Sequence, residues 1–145
     1  MDKGAAVLLT AGVGVLIALQ APINAGLGKQ TGSFPAALVS FIIGTLLLLA
    51  IVVVSGRVGG IGGATDVSWY YLLGGVLGAA YVTTVLVTVN SIGAGGVAAA
   101  TITGQLVASV AMDRLGVLGL EQTTLTPERI LGVVLLLAGT YLIVR

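Results

Sequence analysis

The chain has 145 residues, 57% of them hydrophobic and 8% charged, with 23 glycines and a net charge of +1. A soluble domain is about a quarter charged, so this composition reads as an integral membrane protein, all-α by its predicted spans, and with no basic cluster nothing points to a nucleic-acid partner. There is no cysteine and no histidine, which removes disulfides, thiol nucleophiles, catalytic triads and the usual zinc ligands.

Hydropathy and charge placement predict five transmembrane helices in a single membrane domain, over residues 5–28, 34–55, 68–90, 97–112 and 128–144. The first run has no charge before Lys29. It lacks a strongly basic start and its apolar part is too long for a secretory leader, so it reads as a span. Within it lies Gln20-Ala21-Pro22-Ile23-Asn24. Proline has no N–H for the carbonyl of Ala18, so the helix is expected to kink or open near Gln20. Gln20 and Asn24, four apart, share a face that we expect to look into a polar cavity.

The second span is nearly pure aliphatic and is expected to face lipid or a partner, with Ser33 as N-cap and Pro35 in the first turn. A glycine-rich polar loop, 56–67, carries Arg57 and Asp66. Its Gly59-Gly60-Ile61-Gly62-Gly63 lacks the lysine and strand context of a phosphate cradle. The third span opens on Trp69-Tyr70-Tyr71, aromatics that prefer the membrane boundary. A very tight connection, 91–96, leads into the fourth span, which ends at Asp113-Arg114. A loop over 115–126 carries an apolar stretch suited to the interface. Thr126, Pro127 and Glu128 then read as N-cap, first-turn proline and first-turn acid of the aliphatic fifth span.

Gly74 and Gly78 form a small-residue ridge in the third span, and Gly96, Ala100, Gly104 and Ala108 form one in the fourth. Such ridges let helix backbones approach closely, and plain packing is the reading we favour for them. Thr101, Gln105, Ser109 and Asp113 step by four down the fourth span, while Tyr81, Thr84 and Thr88 share a face of the third. With Gln20 and Asn24 these would give an uncharged, hydrogen-bonding lining. For the hydroxyls, a bond to the helix's own carbonyls competes with that role. An amide has donors and acceptors to satisfy, so Gln20, Asn24 and Gln105 are the stronger candidates. Asp113 is the one carboxylate near a span interior and a candidate ionisable or gating group, with Trp69 beside the boundary. Its place at a helix C-terminus is unfavourable to the dipole and calls for a partner. No metal ligand set, nucleophile–base pair or cofactor motif is present, so an enzyme is not expected.

Five spans would put residues 3 and 145 on opposite sides. Lys3, Arg57, Arg114 and Arg129 then oppose Lys29 and Arg145, a weak bias that allows insertion in both orientations. All five acids, Glu121 among them, share the side of Lys3.

The series Gln20 to Gly28, Ala37 to Thr45, Trp69 to Gly78, Gly104-Gln105 with Ser109 and Asp113, and Leu131-Gly132 with Gly139 resembles the YdcZ-type family of the drug/metabolite transporter superfamily. The resemblance covers nearly the whole chain in order. It implies a five-span half-transporter in a bacterial inner membrane, the inverted-repeat half of a ten-helix architecture. The chain would pair with a second copy, in an antiparallel homodimer, or with a paralogous partner. The first, third and fourth spans would line one pathway, and the fifth would help dimerise. Small multidrug resistance proteins carry a glutamate in the first span; Gln20 and Asn24 stand here instead, which argues against cation/proton antiport. Two functions are carried forward: a secondary transporter of a small polar or amphiphilic metabolite, using Gln20, Asn24, Tyr81, Thr84, Thr101, Gln105 and Ser109 for substrate and Pro22 and Gly104 for flexing, or a non-transporting assembly partner.

Overall fold

The computed structural model describes residues 2–117 and 122–145. Among them there are helices and no strands: α1 (Lys3–Thr31), α2 (Ser33–Val54), two 3-10 helices (Val58–Thr65 and Trp69–Leu72), α3 (Leu73–Leu115) and α4 (Pro127–Val144). All four α-helices are long and apolar enough to cross a membrane. α3 has 43 residues and leaves helical geometry at Gly93 (φ 71°, ψ 167°). Unbroken it would reach about 65 Å, twice a bilayer core of about 30 Å, so its two arms, 73–92 and 94–115, each have the length of a span. The chain divides into two compact units, Met1–Asn90 and Ser91–Arg145.

In the first unit a single residue joins α1 to α2. Gly32 (φ 87°) ends one helix and begins the next, its N–H bonding the Gly28 carbonyl at 2.9 Å and its carbonyl accepting from Ala36 at 3.1 Å. The expected N-cap, Ser33, is instead the first helical residue, and no side chain caps α2. The reason is the positive φ, which glycine takes without steric penalty. α1 itself continues through Pro22 as one helix and does not open near Gln20.

Small residues at the joint make room for the core. Leu86 is 1% exposed and clusters with Ala36, Ala37 and Val82, with Leu27 and Tyr81 packed against them. A Cβ on Gly28 would lie 3.5 Å from the Leu86 side chain, and one on Gly78 would lie 3.5 Å from the Phe41 ring. One face of the beginning of α2, Ala36 and Ala37, is therefore interior. At its far end Leu46 to Leu49, Val53 and Val54 are all exposed.

In the second unit, α4 runs antiparallel to the arm 94–115. Gly96 meets Val144, Ala99 and Thr103 meet Thr140, and Asp113 meets Arg129. The arm extends to Leu115 and is closed by Gly116 (φ 62°), whose N–H bonds the Met112 carbonyl. Thr126 caps α4 as its sequence predicts, its hydroxyl accepting from the Arg129 N–H at 3.4 Å, with Pro127 and Glu128 in the first turn. Part of the loop expected at the interface, with Glu121, lies outside the described residues.

Candidate functional site

The polar face of α1 meets the first arm of α3 at a narrow cleft. Ile17, Gln20, Ala21 and Asn24 recur at helical spacing and line it from one side; Tyr81, Val82 and Val85 line it from the other. The cleft holds about 10 Å³, room for about one water. Asn24 is 7% exposed, Tyr81 is half-buried and Gln20 is exposed. Among the described residues no polar side-chain atom is sealed from solvent without a partner. The Asn24 amide, which makes no side-chain hydrogen bond there, therefore opens on the cleft. Its two N–H donors and its carbonyl oxygen are open to a guest that enters there.

The remaining polar candidates have other settings. The Thr84 hydroxyl, though exposed, donates to the Ala80 carbonyl at 2.8 Å, and that of Thr88 donates to the Thr84 carbonyl at 2.9 Å. Thr101, Gln105 and Ser109 belong to the second unit, where Thr101 is half-buried and the other two are exposed. Gln20, Asn24 and Tyr81 are thus the substrate candidates that share one cleft.

Asp113 finds its partner in α4 rather than in its neighbour Arg114. The Arg129 guanidinium lies 3.5 Å from the Asp113 carboxylate and donates to Thr123 Oγ1 at 2.7 Å. The Thr123 N–H in turn bonds the Asp113 carbonyl at 2.9 Å. This answers the dipole problem of a carboxylate in a last helical turn. Trp69 is exposed and meets Tyr70 edge-on, ring centroids 6.3 Å apart.

Of the packing glycines, Gly78 touches Phe41 and Gly96 touches Ile92 and Val144. A Cβ on Gly74, Gly104, Gly132 or Gly139 would meet no described residue of its own unit within 4 Å. Sequence reasoning missed Thr103 and Thr140. Thr103 is 7% exposed, its hydroxyl meets that of Thr140 at 2.5 Å, and Thr140 Oγ1 donates to the Ala99 carbonyl at 3.1 Å. The signal was a lone threonine in a largely aliphatic fifth span. Thr140 also lines an open, largely apolar groove of about 490 Å³, with Ile92, Ala100, Leu137, Tyr141, Val144 and Arg145. Among the described residues no group of acidic side chains could hold a metal ion.

Apolar helices of membrane-spanning length, carrying an uncharged polar cleft, define a multi-helix membrane protein. Residues 5–142 match the family described as "Putative inner membrane exporter, YdcZ". The chain belongs to that family, which points to a transporter rather than an enzyme. No curated protein and no solved structure matches it.

Proposed function

We propose that this chain is a secondary-active transporter of a small polar or amphiphilic metabolite, working by alternating access as a dimer. The observation that carries the reading is the Gln20–Asn24–Tyr81 cleft: the amide of Asn24, a residue more than nine-tenths buried, opens on it beside a second amide and a phenol. Membership of an exporter family supports it. In this reading 1–145 is one membrane domain of five spans, the inverted-repeat half of a ten-helix transporter in a bacterial inner membrane. The second half is another copy in opposite orientation, or a paralogue. Thr84, Thr101, Gln105 and Ser109 complete the polar lining in the assembled pathway.

Metabolite-binding pockets span roughly 300–1,000 Å³, and the cleft within the first unit is far smaller. A second half that encloses the rest of the pathway accounts for the difference. The same observation suits the other reading, a non-transporting subunit that completes a site only beside a different protein.

Flux separates the two. Purified protein is reconstituted into liposomes loaded with a cell metabolite extract, and loss of each compound is followed by mass spectrometry against protein-free liposomes. Transport predicts selective loss that Gln20→Ala and Gln105→Ala each abolish while the protein still elutes as the folded dimer. No selective loss, or full transport by both variants, overturns the assignment.

A further inference from the structure

We infer that the cleft between α1 and the first arm of α3 recognises the uncharged polar end of its substrate, a hydroxyl or carboxamide, and discriminates against carboxylate and ammonium-type ends. This rests on the cleft being a substrate contact, and it names the chemistry of that contact.

Three observations lead there. First, Asn24 is 7% exposed as a residue, its amide makes no side-chain hydrogen bond among the described residues, and it opens on the cleft. A carboxamide offers two N–H donors and a carbonyl acceptor, so the guest that satisfies it must both accept and donate. Second, the lining supplies no counter-ion. It consists of Ile17, Gln20, Ala21, Asn24, Tyr81, Val82 and Val85. The nearest charge along α1 is Lys29, exposed and more than a turn beyond Asn24. A charged end entering here would surrender its hydration with nothing of opposite sign to replace it. Third, the volume of about 10 Å³ admits one water-sized group, a hydroxyl or the N–H or C=O edge of a carboxamide. The body of the molecule would lie outside, over the exposed side of Gln20, with Ile17 and Val85 against its first carbons.

The test uses three probes of one shape and three charges: benzamide, benzoate and benzamidinium. Thermal unfolding of the purified full-length protein is followed in lipid nanodiscs. A ligand that binds only the folded state raises the melting temperature with its concentration. Benzamide is expected to do so at concentrations at least tenfold below those needed for either charged analogue. Asn24→Leu, a near-isosteric change, should melt no lower than the parent without ligand and should lose the benzamide response. Asn24→Asp should shift the preference to benzamidinium. The inference is overturned if benzamide has no effect, if a charged analogue matches it, or if Asn24→Leu keeps the response. A fall of several degrees in the melting temperature of Asn24→Leu overturns it too, since that marks the amide as a structural bond. Its failure is distinct from failure of the transport reading. Benzamide binding that needs Asn24, in a protein with no flux, sinks transport and leaves the site. Flux that Asn24→Leu does not alter sinks the site and leaves transport.

Discussion

The hydroxyls of Thr103 and Thr140 meet at 2.5 Å between the second arm of α3 and α4. Thr140 has one proton, and it points to the Ala99 carbonyl at 3.1 Å; Thr103 therefore donates to Thr140. Removing the Thr140 hydroxyl frees both the Thr103 proton and the Ala99 carbonyl. These lie four residues apart on one helix, where a threonine hydroxyl can bond back to the chain. Thr140→Val should thus cost only about 1 kcal/mol, in the range measured for polar contacts between membrane helices. Thr103→Val with Thr140→Val should cost less than the two single changes added together. Unfolding in mixed micelles at increasing SDS fraction measures all three. Full additivity would show that the two hydroxyls do not interact.

Arg129 and Asp113 are 42% and 37% exposed at their side chains and 3.5 Å apart. Pairs this open are worth about 0–1 kcal/mol and are screened by salt. Asp113→Asn is therefore expected to destabilise by less than about 1 kcal/mol, with most of the effect gone in 0.5 M NaCl. Arg129→Ala should cost more, because it also removes the 2.7 Å bond to Thr123. Melting temperatures at two salt concentrations check both. A large, salt-independent loss on Asp113→Asn would contradict a surface pairing and revive a role for this carboxylate in the transport cycle.

Hydropathy makes the helices of such a chain legible and leaves their faces obscure. Leu48 and Leu86 are the same residue in similar surroundings of sequence, yet one is 64% exposed and the other 1%. In lipid an apolar side chain is equally at home on the outside and in the core, so periodicity does not separate the two. Polar and punctuating residues say more. The cap at Thr126 was readable because its neighbours, Pro127 and Glu128, point the same way. Asn24 and Gln20 stood out together, but the sequence could not say that Asn24 is the buried one of the pair. The single-residue joint at Gly32 was hidden behind Ser33, a better capping residue by composition, since a positive φ leaves no other mark than a glycine among many. A threonine in a membrane helix ordinarily bonds its own backbone, as Thr84 does, so sequence does not single out the contact between Thr103 and Thr140.

Gly93 (φ 71°, ψ 167°) and Gly32 (φ 87°, ψ 158°) occupy a backbone region open essentially to glycine alone. Gly93→Ala and Gly32→Ala should each destabilise by about 1–3 kcal/mol, although a Cβ at Gly93 would touch nothing within 4 Å. Gly95 is the control. It is helical, equally free of neighbours and two residues away, so Gly95→Ala should be neutral or stabilise by up to about 1 kcal/mol through helix propensity. Equal melting temperatures for the residue 93 and 95 variants would show that α3 is not broken where the structure breaks it.

The orientation of the chain decides what assembly is open to it. Within the first unit Lys29 precedes the joint between α1 and α2, and Arg57 follows the far end of α2. Within the second, Arg114 and Arg129 share the end of α4 that holds Asp113, while Arg145 closes the opposite end near Gly96. Basic residues thus stand at both ends of each unit, and a charge bias this slight sets no firm direction of insertion. The native chain has no cysteine, so Lys3→Cys and Arg145→Cys each give a single reporter for a membrane-impermeant maleimide on intact cells. Insertion both ways predicts that each position labels in about half of the molecules and reaches completion after lysis. That result permits an antiparallel pair built from one gene product. Gly104→Leu should then weaken the dimer if the ridge of the second arm is where the copies meet, because among the described residues of the second unit none crowds that position. Labelling confined to one end would rule out a self-sufficient antiparallel homodimer. The missing half of the pathway would then have to come from a partner of opposite orientation.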